Sequence, residues 1–415
     1  MNGRRPPFAE RKVRLTGSMI DSSTSLLASQ RHDIVRFAMG SPANEAVPID
    51  LFREIASSRL GADSFTYGAT EGEPELIDAL VDYLSTTSEP TAHDRVVITA
   101  GGMQGLDLAC KIFIDPGDLV VVESPTYTNG SATAASYGAE LLEVPLDADG
   151  LVVDALPELV SAAGRTPKAI YVIPNFQNPS GTTLSAKRRE MLVKLAHDWN
   201  CVIIDDDPYG LLRFSGEDVP GFQCISPLDP LIFSVRTFSK ILAPGLRVGW
   251  VDVDPEIRQY VINAKQAMDT CTNVPAQQLV AEFIKRGYLS THLERIRFVY
   301  SERKSAMKHS LMRSLGSRIT ITDPEGGFFL WLTLKGDDAA ISSTALFEIA
   351  LAEGVAFIPG AALSPSGRFD DSLRLCFAAS TPSRIQTGVE RLTRSLDLAR
   401  RAPYPGGAER HGSLT

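Results

Sequence analysis

Short runs of aliphatic and β-branched residues recur between about residues 95 and 255, and longer amphipathic stretches separate them. The runs are Val96–Thr99, Leu119–Val122, Ala169–Ile173, Cys201–Ile204, Leu231–Val235 and Val248–Val251. Because polar residues do not alternate within them, they predict strands covered on both faces of a sheet. Between the third and fourth runs, the spacing of Leu192, Leu195 and Trp199 predicts a helix, with Ser185 as its N-cap.

This alternation of strand and helix predicts parallel crossovers and a doubly wound α/β sheet. Ligands of such sheets bind at the carboxyl ends of the strands. After about residue 290 the pattern changes to a long charged helix near Leu293–Leu315. Two shorter apolar runs follow, at Gly327–Leu332 and Leu373–Phe377, and they predict a smaller α+β domain.

The same pattern predicts how the chain divides. Its two ends are polar and rich in Arg, Ser, Pro or Gly, which is typical of segments that join no core. We therefore expect a flexible arm at 1–30, a segment at 31–60 that is part of the arm and of the small domain, a large ligand-binding domain at 61–290, a small C-terminal domain at 291–398, and a disordered tail at 399–415.

Composition narrows the classes of function. Of the 415 residues, 44% are hydrophobic and 22% are charged, and no apolar run approaches the roughly 18 residues that a membrane span needs. The net charge of −9 makes binding to nucleic acid unfavourable. The five cysteines are scattered singly, so we expect no zinc site, no other metal site, and a location in the reducing cytoplasm.

Glycines follow the first predicted strand. Ala100 with Gly102 and Gly105 nearly matches the GxGxxG pattern of dinucleotide sites, and Glu123 ends the next strand. Exposed N–H groups at a helix N-terminus attract any phosphate. A dinucleotide site, a site for another phosphate and a simple tight turn all remain open.

Two later strands end in amides and carboxylates. Asn178 precedes a proline, which restricts it to an extended or turn backbone and presents its amide. The cluster Asp205–Asp207, with Tyr209 close behind, can be solvated, bind magnesium, or place one carboxylate beside a cationic ligand.

The fifth predicted strand leads to Lys240, which Phe238 precedes by two residues. Apolar surroundings lower the pKa of a lysine and make its amine a nucleophile or a Schiff-base former. Thr237 and Ser239 add hydroxyl groups, and Arg247 adds a planar guanidinium suited to a phosphate.

Together these groups meet the needs of one cofactor, pyridoxal 5′-phosphate. It requires an amine for its aldehyde, a carboxylate for its pyridinium nitrogen, hydrogen bonds to its ring oxygen, and a cradle for its phosphate. The candidates, in that order, are Lys240; Asp206; Asn178 with Tyr209; and Gly102, Thr237, Ser239 and Arg247.

The chain resembles the fold-type I pyridoxal-phosphate aminotransferases of class I/II over roughly residues 35–395. The most specific motifs are Asn178–Gly181, Asp206–Tyr209, Thr237–Lys240 and Pro244–Arg247. Within that class it is similar to the aminoadipate/kynurenine aminotransferase branch and to the effector domain of MocR-type regulators. The resemblance implies an α/β fold, with a large pyridoxal-phosphate-binding domain built on a mostly parallel sheet and a smaller α+β domain.

The resemblance also implies roles for individual residues. Lys240 forms the Schiff base and moves a proton, Asp206 holds the ring nitrogen, and Tyr209 with Asn178 holds the ring oxygen. The remaining cofactor-binding candidates are Gly102, Met103, Tyr127, Thr237, Ser239 and Arg247.

Substrate recognition and assembly follow from the same resemblance. Arg374 matches the arginine that grips the substrate carboxylate, and Asn178, Gly40 and Met39 are the other substrate-binding candidates. Met39 stands where the branch usually has glycine, so we expect it to narrow the entrance. Tyr67 matches the tyrosine that reaches the phosphate of the neighbouring subunit, which implies a homodimer with shared active sites.

The resemblance implies a cytoplasmic aminotransferase that moves the amino group of an L-amino acid to a 2-oxo acid by a ping-pong mechanism. A pyridoxal-phosphate-dependent lyase, decarboxylase or oxidase remains an alternative, because the same cofactor contacts serve all these reactions. A nicotinamide dehydrogenase would leave Lys240 and its neighbours unexplained. We do not expect a regulator, since few residues precede Phe37 to form a DNA-binding domain.

Overall fold

The computed structural model of the protein describes residues 6–15, 17 and 33–401. Its strands, in chain order, are β1 (Val35–Arg36), β2 (Val96–Thr99), β3 (Leu119–Ser124), β4 (Glu140–Asp147), β5 (Gly150–Leu151), β6 (Ala169–Val172), β7 (Val202–Asp206), β8 (Ile232–Thr237), β9 (Gly249–Asp252), β10 (Ile319–Ile321), β11 (Phe329–Leu334), β12 (Val355–Ala356), β13 (Ile358–Pro359) and β14 (Ser372–Cys376). Its α-helices are α1 (Ile49–Arg59), α2 (Pro74–Leu84), α3 (Gly102–Phe113), α4 (Thr128–Ser136), α5 (Leu156–Ala163), α6 (Ala186–Trp199), α7 (Phe222–Ile225), α8 (Pro255–Gln266), α9 (Val274–Lys285), α10 (Tyr288–Leu315), α11 (Ser343–Ala352) and α12 (Pro382–Arg401).

The large sheet has the strand order β2-β9-β8-β7-β6-β3-β4-β5. The neighbours from β8 to β4 pair in parallel, whereas β9 is antiparallel to both β2 and β8, and β5 is antiparallel to β4. All six predicted strands lie in this sheet, and helix α6 begins directly after Ser185. The predicted mostly parallel α/β fold is confirmed.

Both faces of this sheet are covered, which explains why its strands are apolar without alternation. On β3, Val120 and Val122 join one hydrophobic cluster and Val121 joins another. On β7, Ile204 faces the first cluster and Ile203 the second. Successive side chains of a strand point to opposite faces, so a strand between two helical layers must be apolar at every position.

The parallel order determines where polar residues meet. The carboxyl ends of parallel strands lie at one edge of the sheet, and this edge receives the segments that follow β2, β3, β6, β7 and β8. The polar and glycine residues predicted at the strand ends belong to those segments or, like Asp206 and Thr237, to the last residues of the strands themselves.

The C-terminal part contains an antiparallel sheet of order β10-β11-β14-β13, which brings β14 beside β11 and pairs Arg374 with Trp331. The predicted helix near Leu293–Leu315 begins earlier, at Tyr288, directly after Gly287. Helix α12 extends to Arg401. The tail predicted from residue 399 therefore starts inside this helix, and residues 402–415 lie outside the described residues, as does most of the arm predicted at 1–30.

The segment predicted at 31–60 divides between the two parts of the molecule. Strand β1 pairs in parallel with β12 of the C-terminal part. Helix α1 instead packs on α9, where the Phe52 and Phe283 rings lie 5.6 Å apart, because Phe52 and Ile55 form its buried face. In the part of the chain that the structure describes, no helix is long and apolar enough to cross a membrane.

Candidate active site

A cavity of about 220 Å³ lies at the carboxyl edge of the large sheet and extends to β11 and β14. Its lining contains every predicted site residue except one: Met39, Gly40, Gly102, Met103, Tyr127, Asn178, Asp206, Tyr209, Thr237, Ser239, Lys240, Arg247 and Arg374. The exception is Tyr67, which does not line the cavity and is 86% exposed.

Lys240 projects into this cavity from the turn that follows β8. Its Nζ donates a hydrogen bond to the Gly40 carbonyl oxygen at 2.7 Å, so the loop after β1 holds the amine in place. Burial lowers the pKa of Lys240 to about 8. About a tenth of the amine is therefore neutral, and nucleophilic, at pH 7, against far less than 1% for a lysine with an ordinary pKa.

The three consecutive aspartates have separate tasks. Asp205 accepts a hydrogen bond from the Arg236 guanidinium at 2.8 Å, and Asp207 accepts from the backbone N–H of Gly210 at 2.7 Å. Only Asp206 lines the cavity. Among the described residues, no group of His, Cys, Asp and Glu side chains is arranged to hold a metal ion.

Asp206 is the carboxylate at the base of the cavity. Its Oδ2 accepts a hydrogen bond from the Tyr171 hydroxyl at 2.9 Å. Burial raises the pKa of Asp206 to about 7, against the effect of that hydrogen bond, which lowers it. A cationic group brought beside Asp206 would restore its ionised form.

A cradle for an anion lies at the N-terminus of helix α3. Gly101 has φ +80°, and a Cβ placed on it would lie 2.8 Å from the Arg247 guanidinium. That guanidinium donates to the Ala100 carbonyl at 3.0 Å. Thr237 donates to the Ser239 hydroxyl at 2.9 Å beside the same loop, so N–H, hydroxyl and guanidinium groups converge here.

Arg374 forms the opposite wall on β14. Its Nη1 donates to Asn178 Oδ1 at 2.9 Å and its Nη2 to the Ala38 carbonyl at 2.7 Å, and its guanidinium lies 4.3 Å from the centre of the Phe329 ring. Arg374 is almost fully buried, and among the described residues no carboxylate pairs with it. A carboxylate on a ligand would supply the missing partner.

Two tyrosines complete the lining. Tyr209 is buried against Phe328 and Phe329, with ring centres 5.5 and 5.9 Å away. Burial raises the pKa of Tyr209 well above its usual value, so its hydroxyl stays protonated and can donate. Tyr127 presents its ring at the start of α4, with its hydroxyl 3.6 Å from Met103 Sδ.

Sequence reasoning missed three contributors to this site: the Tyr171 hydroxyl, the Phe329 ring and the Ala38 carbonyl. Tyr171 is the one phenol in the strand Ala169–Val172, and this was its only signal in the sequence. Phe329 belongs to an apolar run that predicts only a strand. A backbone carbonyl such as that of Ala38 leaves no signal at all.

Glu123, the acidic residue of the dinucleotide pattern, does not serve that purpose. It is buried, and its Oε2 accepts hydrogen bonds from Ile173 N–H and from the Gln177 amide, each at 3.1 Å. Burial raises the pKa of Glu123 to about 8. These hydrogen bonds hold the loop that contains Asn178, so Glu123 is not placed to bind a ribose.

The cavity residues fit pyridoxal phosphate group by group. The cradle at Gly101 suits a phosphate, the cavity-facing carboxylate of Asp206 suits a pyridinium nitrogen, and the Lys240 amine suits an aldehyde. Asn178 uses its carbonyl oxygen for Arg374, so its amide N–H group is the one that can donate to a ring oxygen.

Comparison with known proteins gives the same result. The model of the family described as aminotransferase class I and II matches residues 33–392. Aromatic-amino-acid aminotransferase 1 of Thermococcus litoralis is 35% identical over 396 residues, which cover 94% of each chain.

Two solved structures are similar over nearly the whole chain. One is a kynurenine aminotransferase of Pyrococcus horikoshii in complex with PMP, with a TM-score of 0.88, 32% identity, and coverage of 95% of this chain and 98% of that one. The other is an alpha-aminoadipate aminotransferase of Thermus thermophilus complexed with N-(5′-phosphopyridoxyl)-L-leucine, with a TM-score of 0.86, 33% identity, and the same two coverages.

Proposed function

The chain belongs to the family of class I and II aminotransferases, and from this premise we propose the roles of its cavity residues and the assembly in which they act. The protein is a pyridoxal-phosphate-dependent transferase that moves an amino group from an L-amino acid to a 2-oxo acid. When bound, the cofactor supplies an aldehyde for the amino group and a ring that draws electrons from the reacting carbon. The convergence of Lys240, Asp206 and Arg374 in one cavity carries the assignment of roles.

Lys240 is the residue that holds the cofactor aldehyde and later carries the proton at its Nζ. Two features support this role. Its amine already hydrogen-bonds within the cavity, and its lowered pKa makes the neutral form accessible near pH 8. An amine with such a pKa can both give and take a proton at working pH.

Asp206 holds the proton on the ring nitrogen, and Asn178 with Tyr209 donates to the ring oxygen. The Tyr209 hydroxyl remains protonated because the site is buried, so it acts as a donor rather than as a second negative charge. Tyr127 covers one face of the ring. These contacts orient the cofactor relative to Lys240.

Gly102 and Met103 offer backbone N–H groups to the phosphate at the start of α3, and Thr237, Ser239 and Arg247 add side-chain donors. The N-terminal end of a helix carries partial positive charge, so an anion is stabilised there. We propose that this cradle fixes the cofactor at the end opposite its reacting aldehyde.

Arg374 binds the substrate carboxylate, with Asn178 beside it and Gly40 and Met39 at the entrance. The hydrogen bonds from Arg374 to Asn178 and to the Ala38 carbonyl hold its plane before a ligand arrives. A planar guanidinium held in this way fixes the orientation of the bound carboxylate, and hence the bond that is broken.

We propose a homodimer with shared active sites, in which Tyr67 reaches the cofactor phosphate of the neighbouring subunit. Tyr67 is 86% exposed and the nearby Phe65 is 74% exposed, as expected of aromatic residues that a partner covers. We further propose a large domain at 61–290, a small domain at 291–398, and a cytoplasmic location, which suits the free cysteines.

The test uses the protein loaded with pyridoxal phosphate and mixed with a panel of L-amino acids, with and without a 2-oxo acid acceptor. We expect one new amino acid for each donor consumed, and no turnover without the acceptor. Lys240→Ala should reduce the rate by roughly 100- to 10,000-fold. Lys187→Ala, which removes an exposed lysine at the start of α6, is the control and should have no effect.

The alternative reactions are separate outcomes of the same experiment. Release of ammonia without an acceptor would indicate a lyase, release of carbon dioxide a decarboxylase, and uptake of oxygen an oxidase. Any of these as the main reaction would contradict amino-group transfer. An unchanged rate in Lys240→Ala would contradict the role of that residue.

A further inference from the structure

Tyr171 places a hydroxyl group against the carboxylate of Asp206. We propose that Tyr171 is a positioning residue: its hydrogen bond to Oδ2 of Asp206 fixes the carboxylate in the orientation that leaves Oδ1 for the ring nitrogen of the cofactor. This inference rests on the proposed role of Asp206. Strand β6, which carries Tyr171, would thereby help strand β7 to bind the cofactor.

The sheet register brings the two side chains together. Tyr171 on β6 pairs with Ile204 on β7, and Ile204 and Asp206 point to the same face because they lie two residues apart. The side chain of Tyr171 is long enough to reach from its position opposite Ile204 to Asp206, which is the next residue of β7 on that face. The hydroxyl meets the carboxylate oxygen at 2.9 Å.

Helix α4 holds the phenol in that position. A Cβ placed on Gly130 would lie 2.3 Å from the Tyr171 hydroxyl oxygen and 2.5 Å from its Cζ. Helix α4 can therefore lie directly over the ring only because residue 130 lacks a side chain. Because Tyr171 is only 3% exposed, its side chain has little freedom to move away from Asp206.

The chemistry of the pair gives the contact its direction. Burial raises the pKa of Tyr171 well above its usual value, so the phenol is neutral and donates its one proton to the carboxylate. A hydrogen bond to the charged form of an acid favours that form. The hydrogen bond from Tyr171 thus lowers the pKa of Asp206, whereas burial raises it.

Several other titratable or charged groups act on this pair. On the strands they are Asp205 of β7, Glu123 of β3 and Arg236 of β8. In the segments that follow these strands they are Asp207, Tyr209, Tyr127 and Lys240. Tyr171 is the only one of the described residues with a side-chain hydrogen bond to Asp206.

The test compares Tyr171→Phe with a matched control, Tyr137→Phe. Tyr137 also donates to an aspartate, Asp107, at 3.1 Å, but it lies outside the cavity at the end of α4. Each substitution removes one hydroxyl group and one hydrogen bond to a carboxylate. The measurement is the affinity of each apoprotein for pyridoxal phosphate, followed by absorbance.

We expect Tyr171→Phe to bind the cofactor about 10-fold more weakly, the loss that follows from one hydrogen bond to a charged group. The weakening should grow as the pH falls from about 8 to about 6, because Asp206 is then more easily protonated. Tyr137→Phe should bind like the wild type.

A second ligand separates positioning from general support of the fold. In an analogue of pyridoxal phosphate with carbon in place of the ring nitrogen, Asp206 has no partner, so wild type and Tyr171→Phe should bind it equally. Equal affinity of both proteins for pyridoxal phosphate itself, or equal weakening toward both ligands, would overturn the proposal. Failure of the wild type to bind pyridoxal phosphate would instead overturn the proposed function.

Discussion

Gly101→Ala is a sensitive test of the proposed phosphate cradle. Gly101 has φ +80° and ψ 174°, a region that is essentially restricted to glycine. The added Cβ would also lie 2.8–3.0 Å from three atoms of the Arg247 guanidinium. We therefore expect the substitution to strain the loop and to displace Arg247 from the Ala100 carbonyl.

The two effects have different magnitudes and different readouts. The strained backbone should reduce the free energy of unfolding of the apoprotein by about 1–3 kcal/mol. Displacement of Arg247 should remove one charge-assisted contact with the phosphate, worth about 1.5–3 kcal/mol, which corresponds to roughly 10- to 100-fold weaker binding of pyridoxal phosphate.

Gly164→Ala is the matched control. Gly164 ends helix α5 with φ +70°, and a Cβ placed on it would meet no atom within 4 Å. It should also lose about 1–2 kcal/mol of stability through its left-handed backbone. Urea unfolding of the apoproteins measures the stability term, and titration with pyridoxal phosphate measures the affinity term, which should change only in Gly101→Ala.

A double-mutant cycle tests whether the effect passes through Arg247. If Gly101→Ala acts by displacing that side chain, the double variant with Arg247→Ala should bind the cofactor no more weakly than Arg247→Ala alone. Additive losses, or wild-type affinity in Gly101→Ala, would refute this account of the cradle.

Two further predictions concern Arg374 and Lys240. Arg374→Lys should raise KM for the amino donor by roughly 10- to 100-fold in steady-state assays, because an ammonium cannot replace the planar group held by Asn178 and the Ala38 carbonyl; Arg384→Lys, in an exposed ion pair, is the control and should leave KM unchanged. Apoprotein treated with pyridoxal and borohydride should be labelled at Lys240 with a midpoint near pH 8, because only the neutral amine reacts and the pKa of Lys240 is lowered to about 8. A midpoint at about pH 10, as for a solvated lysine, would contradict this.

Most of the large sheet could be predicted because its strands are buried on both faces. The six apolar runs needed no tertiary information to be recognised. Strand β4 was missed because Glu143 and Pro145 interrupt its apolar pattern. It lies near the sheet edge, where its one long neighbour is β3 and its other neighbour is the two-residue β5, so it does not need continuous apolar character.

The proposed site residues that lie at or directly after a strand could be predicted from the local sequence. Lys240, Asp206 and Asn178 each follow or end an apolar run, so their place at the sheet edge follows from the strand order. The contacts of Arg374 were not predictable in this way. Its partners Asn178 and Ala38 lie 196 and 336 residues away in the chain, and only the packing of β14 against the cavity brings them together.

The charges of the cavity match the positions that we propose for the cofactor and the substrate. Arg236 is neutralised by Asp205 and Glu89, so it leaves Asp206 as the carboxylate of the triplet that faces the cavity without an ion pair among the described residues. Arg374, by contrast, is a buried cation that has no anionic partner among the described residues. A buried charge without a partner costs folding free energy, and a ligand of opposite charge recovers it. On the proposed assignment, the Asp206 wall of the cavity therefore binds a cationic group and the Arg374 wall an anionic one, and Lys240 lines the same cavity.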